Sequence, residues 1–299
     1  MSFDYSFFGA QRLVAQLAGL LQLQDQGGDR FLGQSEDVGN PAVFGGQVLG
    51  QALAAAHRTV DPDRVVHSMH AYFLLPGEFV PIEYAVERER DGRSFTTRHV
   101  VARQHGRTIF ELSASFQARE AGIEHQAPMP DVPPPEALQS EIECRKRALD
   151  RLPARWRASA LQPRGLEVRP VDPQDDPVAP AVRPAQSQVW MRIAAPLPDD
   201  PSMHCELLAY ASDHNLLSTG LRPHGVTYYS EQTRMASLDH AMWFHRDFRF
   251  DDWLLYSLDS PSANGARMFC RGSFYTRDGV LVASTAQEGV VRIRGQGQG

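Results

Sequence analysis

Lysine is almost missing from this chain of 299 residues: Lys146 is the only one, so the basic residues are otherwise arginine. The skew fits a GC-rich genome. It leaves an arginine-based phosphate site open, but arginine abundance alone does not locate one. Cysteine is also scarce. Cys144, Cys205 and Cys270 are odd in number and far apart, which excludes a disulfide framework and a CxxC metal knuckle. No apolar run approaches the roughly 18–20 residues that a membrane helix needs. Positive charge is not in excess, and the formal net charge of -6 argues against a partner bound by phosphate neutralisation. The N-terminus, Met1-Ser-Phe-Asp4-Tyr5, carries an acid where a secretory leader carries Lys or Arg. The C-terminal Gln296-Gly-Gln-Gly299 is not Ser-Lys-Leu. These absences predict a cytoplasmic protein with no nucleic-acid partner and no membrane insertion.

Several catalytic signatures are absent as well. There is no G-x-S-x-G elbow, no HExxH and no Walker A sequence, and the glycines of the C-terminal tail neither follow a strand nor open a helix. Of the 11 histidines, His67 and His70 lie three apart on a predicted strand and should point to opposite faces, which spoils them as a metal pair. His240 and His245 fail the same test. His67 is kept as a reserve general base. Cys205, at the start of an apolar helix, reads as a small core hydrophobe and not as a nucleophile.

What is present is a pattern repeated twice, giving an expected N-terminal unit over 1–120, a Pro-rich connection over 121–200 and a C-terminal unit over 201–294. Each copy opens with an apolar stretch of helical length, Phe44–Ala56 in the first and Cys205–Leu217 in the second. The first is apolar on nearly every face, the mark of a helix enclosed by protein. Strand-like runs follow in matching order: Val65–Leu75 with Ser237–Phe244, Pro81–Glu87 with Asp252–Leu258, Ser94–Arg103 with Gly265–Tyr275, and Thr108–Phe116 with Val280–Val290. Asp91-Gly92 and Asp278-Gly279 are hairpin signals at non-equivalent places. One helix followed by antiparallel strands predicts an α+β fold in which each sheet curls around a helix. Ahead of the repeats lie an amphipathic helix over Ala10–Leu23 and a short strand near Arg30–Gln34. Between them, a helix over Glu136–Leu152 and a strand over Gln188–Ile193 are expected. So long a connection packs outside the domain or covers a site.

Sliding one copy over the other exposes an asymmetry. Placing Val48-Leu49 on Leu207-Leu208 sets Asp213 opposite Ala54, and placing Gly106 on Gly279 sets Gln287 opposite Ala114. A carboxylate and an amide thus stand where the first copy is apolar, and both are costly to bury unless they satisfy each other or a water. Ser237 opens the matching strand and offers a hydroxyl. The alternatives are structural: Asp213 as a helix N-cap, Gln287 at a strand edge, and Ser237 without a role.

The strings Phe44-Gly-Gly-Gln-Val48, His67-Ser-Met-His-Ala-Tyr-Phe73, Asp91-Gly-Arg-Ser-Phe95 and Tyr210-Ala-Ser-Asp213 resemble the acyl-CoA thioesterase II family. So do Leu238-Asp-His-Ala-Met-Trp-Phe-His245 and Asp278-Gly-Val-Leu-Val-Ala-Ser-Thr-Ala-Gln-Glu-Gly289. The likeness runs from about Gln11 to Val291. It implies a double hotdog, two tandem sheets each wrapped around a central helix. It also implies hydrolysis of acyl-CoA to free fatty acid and CoA, assembly as a homodimer or homotetramer, and no metal or redox cofactor. The catalytic set it implies is Asp213, Ser237 and Gln287, which together position and activate a water; Ser stands at a position where Thr is the other family choice. Two rival readings are a hotdog hydratase or dehydratase acting on acyl thioesters, which would shift a double bond instead of freeing a thiol, and a non-catalytic acyl-CoA sensor.

Overall fold

The structure, a computed structural model, describes residues 7–294; the two terminal stretches that predict the compartment lie outside the described residues. The first half of the chain contains α1 (Phe7–Leu21), β1 (Gln24–Gly27), β2 (Arg30–Gly33), α2 (Gly45–His57), β3 (Arg64–Phe73), β4 (Ile82–Asp91), β5 (Phe95–Gln104) and β6 (Arg107–Ala118). The connection carries α3 (Glu141–Arg147), α4 (Ala154–Ala160), β7 (Leu166–Pro170) and β8 (Gln186–Ile193). The second half contains α5 (Pro201–Ser212), α6 (Leu216–Leu221), β9 (Thr233–Ser237), β10 (Asp239–Phe244), β11 (Leu254–Asn264), β12 (Arg267–Thr276) and β13 (Leu281–Ile293).

All the strands join one antiparallel sheet in the order β1-β2-β4-β5-β6-β3-β10-β13-β12-β11-β8-β7, with β9 alongside β13. The order is a palindrome about the central β3–β10 pair, where Met69 faces Met242. β2, β4, β5 and β6 therefore correspond to β8, β11, β12 and β13. The expected strand runs form, except that Ser237–Phe244 is divided, with Ser237 ending β9 and β10 starting at Asp239, and β8 from the connection completes the second half of the sheet. Alternation puts Phe110, Leu112, Ala114 and Phe116 of β6 inside, all fully buried. One hydrophobic cluster spans both halves.

Three sequence expectations are corrected. First, Cys205–Leu217 is not one helix: α5 ends at Ser212, Asn215 takes a left-handed φ of 63°, and α6 begins at Leu216. α2 packs on β4, β5 and β6, and α6 packs on β8, β11, β12 and β13, while α5 lies along α2. α6 is thus the counterpart of α2. Asp213, three residues before α6, corresponds to Ala42, three residues before α2, and not to Ala54. Second, Ala114 pairs with Met69 and Thr285 pairs with Met242, so Thr285 corresponds to Ala114 and Gln287 to Phe116. Third, the helix expected over Glu136–Leu152 is broken. Ser140 starts α3 with a reciprocal capping box to Glu143, and Pro153 precedes α4.

The connection does pack outside. Met129, Val132 and Leu138 lie against Trp190, Trp253, Leu255 and Tyr275, and Trp190 Nε1 donates to Pro133 O at 2.9 Å.

Candidate active site

The close approach of α2 and α5 sets the position of the first candidate. A Cβ on Gly46 would run into the carbonyl oxygen of Tyr210, and one on Gly50 would lie 3.0 Å from that of Glu206. Glycine at both places lets the two backbones meet. The end of α5 is thereby brought to the N-terminus of α2, where Gly46 N–H donates to Asp213 Oδ2 at 3.0 Å. The positive end of a helix dipole favours a carboxylate there. In sequence Asp213 is the C-cap residue of α5 and not the N-cap residue of a helix, since Asn215 precedes α6; its carboxylate meets the N-terminus of α2 through space.

Gln287 projects inward from β13, an interior strand flanked by β12 on one side and by β9 and β10 on the other. It is therefore not at an edge, and it is 1% exposed. Its Nε2 donates to Asp213 Oδ1 at 3.0 Å and to Ser237 Oγ at 2.7 Å. Ser237 ends β9, where it pairs with Gly289. The three candidates are thus brought together around a single amide nitrogen. Asp213 and Ser237 are half-buried, whereas the amide that joins them is enclosed. Each Asp213 oxygen accepts from one donor and has a lone pair left for a further one, and Ser237 accepts from the amide while keeping its own O–H to donate.

Two further groups were not anticipated as part of the site. His240, fully buried on β10, lies with Nδ1 2.7 Å from Gln287 Oε1 and Nε2 2.9 Å from Ser212 Oγ. Burial holds its pKa below the ordinary imidazole value, although the charge of Asp213 acts the other way. The period-two alternation of His240, Met242 and Phe244 was the signal that could have placed it inside. Gly46, on the Asp213 side, supplies a backbone donor, so the first half contributes a polar contact to the site.

His67 does not join them. A bulge between Val66 and Ser68 turns it to the outer face, where Nε2 lies 2.8 Å from Ser115 Oγ and the ring contacts Phe95. His70 also faces outward, against Trp243. The expectation that His67 and His70 point to opposite faces is therefore corrected: the extra residue of the bulge cancels the alternation. Cys205 is no nucleophile, because burial drives its thiol pKa far up. Among the described residues no group of three or more His, Cys, Asp or Glu is placed to hold a metal ion.

Sequence profiles of the acyl-CoA thioesterase N-terminal domain and of acyl-CoA thioesterase match residues 34–117 and 175–290. The chain is 40% identical over 290 residues to acyl-coenzyme A thioesterase 8 of Homo sapiens, covering 93% of this chain and 89% of that protein. It superimposes on the crystal structure of an acyl-CoA thioesterase II from Mycobacterium marinum with a TM-score of 0.76 and 42% identity, covering 93% of this chain and 99% of the other. A hot dog fold protein of unknown function from Alicyclobacillus acidocaldarius, at 21% identity and a TM-score of 0.74 over 93% of this chain and 98% of that one, shares the fold.

Proposed function

The chain belongs to the acyl-CoA thioesterase II family, has the double-hotdog fold and hydrolyses acyl-CoA thioesters, and from that premise we propose that Asp213, Ser237 and Gln287 carry the reaction. The observation that supports this reading is the Gln287 amide bonded at once to Asp213 and Ser237. A water lying against the two half-buried groups can give a proton to Asp213 while its oxygen attacks the thioester carbonyl carbon. A C–O bond forms and the carbonyl π electrons move to oxygen. Collapse of the tetrahedral intermediate breaks the C–S bond, and the thiolate takes back the proton held by Asp213. A thiol of pKa about 8.5 leaves without a strong general acid. Gln287 stays neutral throughout and fixes the carboxylate and the hydroxyl relative to each other.

The products are a free fatty acid and CoA, and the compartment is the cytoplasm. The unit boundaries are those given by the repeat, 1–120 and 201–294 with the connection between them. The assembled state is a homodimer or homotetramer. The broad outer face of the sheet, with half-buried Trp243 edge-on to exposed His70, supports pairing of copies; light scattering at micromolar concentration tests it, and a strictly monomeric mass overturns it.

Asp213→Asn keeps the shape and removes the proton acceptor. Release of free thiol from acyl-CoA is expected to slow by roughly 100-fold or more with unchanged circular dichroism. The same variant, titrated calorimetrically with a non-hydrolysable acyl-CoA, should bind one ligand per chain, because the corresponding places in the first half carry Ala42 and Phe116. Near-normal turnover would remove Asp213 from the proton-acceptor role, and two equivalent sites per chain would overturn the single-site reading.

A further inference from the structure

We infer that His240 is a positioning residue for this hydrolysis, holding the Gln287 amide the one way round that serves Asp213 and Ser237; the inference rests on the proposed roles of those three residues. A glutamine amide has two donor hydrogens on nitrogen and an acceptor oxygen at the other end, and it can turn end for end at little intrinsic cost. Here both hydrogens are used on the site side, toward Asp213 Oδ1 and Ser237 Oγ, and the oxygen faces His240 Nδ1 at 2.7 Å. Turned over, the amide would put its oxygen against a carboxylate and its NH2 against an imidazole nitrogen that already carries hydrogen. Both contacts would be repulsive in an enclosed setting.

The orientation of the amide therefore depends on Nδ1 being the protonated nitrogen, and the next residue along provides for that. Ser212 Oγ lies 2.9 Å from His240 Nε2 and 2.8 Å from Ala209 O. A hydroxyl has one hydrogen. Given to Nε2, it leaves a neutral ring with hydrogen on Nδ1. Given to Ala209 O instead, it would leave Nε2 to carry the hydrogen, and a neutral ring would then set a bare Nδ1 against the Gln287 oxygen. Burial disfavours the doubly protonated ring, so the arrangement that fits the Gln287 oxygen is the neutral ring with Nδ1–H, held by the Ser212 hydroxyl given to Nε2. The backbone of Ser212 is itself held, since Tyr256 Oη donates to Ser212 O at 2.9 Å and also contacts Thr285 Oγ1 at 2.8 Å. A chain of buried groups thus runs from Tyr256 through Ser212 and His240 to the amide. Its last members, Asp213 and Ser237, are half-buried.

A purely structural histidine and a positioning histidine differ in what their loss does. The test is a double-mutant cycle on purified full-length protein, with thiol release as the readout and Tm as the control for folding. His240→Leu is expected to lower kcat by roughly 10- to 100-fold with little change in KM, as a misplaced reacting group does. His240→Asn, whose amide N–H can stand where Nδ1–H stood, is expected to recover most of that loss. In a Gln287→Ala background, His240→Leu is expected to add almost nothing, because the group it acts through is already gone. If His240→Leu does not fold, the same cycle run with His240→Asn and His240→Gln decides the matter, since only Asn offers a donor at the Nδ1 position. Multiplicative losses in the cycle, or equal turnover for the Asn and Gln variants, would overturn the inference. Full turnover of Gln287→Ala alone would instead overturn the reading of the site on which it rests.

Discussion

Tyr84 on β4 and Tyr256 on β11 are fully buried, one in each half of the sheet, and the contrast between their surroundings separates scaffold from site. Tyr84 Oη donates to Gln51 Oε1 at 2.8 Å, and Gln51 Nε2 donates to the carbonyls of Leu20 and Gln34. That network closes on backbone. It ties the end of α1 and the turn after β2 to α2, and no member is left with chemistry to offer. Tyr256 starts the other network, which passes through Ser212 and His240 to Gln287 and ends on a half-buried carboxylate and hydroxyl. Burying either set requires the same satisfaction of polar groups. The second differs in ending on half-buried groups that keep hydrogen-bonding capacity for a further partner.

The positions corresponding to the proposed catalytic set make the same point. Gly289 pairs with Ser237 and Ala118 pairs with Arg64, so the counterparts of Asp213, Ser237 and Gln287 are Ala42, Arg64 and Phe116. The first half nevertheless supplies the α2 N-terminus, on which Asp213 rests. The halves therefore complete one site between them, and the contact between α2 and α5 is where that arrangement is most easily broken. Gly46→Ala is expected to have the largest effect on the pairing of the halves. The added methyl meets the Tyr210 carbonyl, which cannot swing away like a side-chain tip, so the helices must separate. Overpacking of this kind destabilises by about 1–3 kcal/mol or more, and the accompanying shift of Asp213 should lower kcat by roughly 100-fold. Gly19→Ala is the control: nothing lies within 4 Å of its added methyl on exposed α1, and thermal unfolding should show no loss of stability. Normal turnover of Gly46→Ala would show that Asp213 does not depend on the first half.

A smaller effect is expected at the hydroxyl. Ser237→Thr keeps an oxygen that can accept from Gln287 Nε2, so much of the activity should survive in a thiol-release assay. Ser237→Ala leaves one amide hydrogen without its partner and should lose roughly tenfold or more. Equal damage from both would mean that the position matters for packing against Gly289 and not for its hydroxyl.

The elements are legible in the sequence where hydrophobic period alone decides them. The strand runs, the enclosed α2 and the outside course of the connection all follow from alternation and apolar content. Register and breaks are less legible, because they depend on turns. The β5–β6 hairpin turns in two residues, His105 and Gly106, both at positive φ. The β12–β13 connection runs from Thr276 to Val280. Sliding Gly106 onto Gly279 equates turns of different length and moves the counterpart of Gln287 by two residues, from Phe116 to Ala114. The break after Ser212 is hidden because the polar interruption, Asp213-His-Asn215, lasts less than one helical turn before Leu216 and Leu217 resume the apolar run; the left-handed Asn215 marks it in the structure. Asp213, Ser237 and Gln287 are reached from the repeat and the family resemblance. His240 is missed when it is weighed as half of a metal pair with His245, and not by the face its strand gives it.

His67 and His240 provide the smallest expected effect and the sharpest contrast. They are counterparts: both lie two residues before the central methionines, Met69 and Met242, which face each other across β3 and β10. Strict alternation would send both inward, and His240 obeys it. On β3 the bulge between Val66 and Ser68 inserts the extra residue that sends His67 outward to Ser115. The inside place in the first half then needs no polar partner, and Phe116 fills its side of the core. His67 is thus separated from Asp213 by the thickness of the sheet and cannot exchange a proton with a water held there. His67→Ala should leave kcat and KM within about twofold of the parent, the usual range for a surface change, while His240→Leu does not. A large loss of kcat from His67→Ala with unchanged Tm would mean that the outer face takes part in the reaction, and the reserve base would have to replace Asp213.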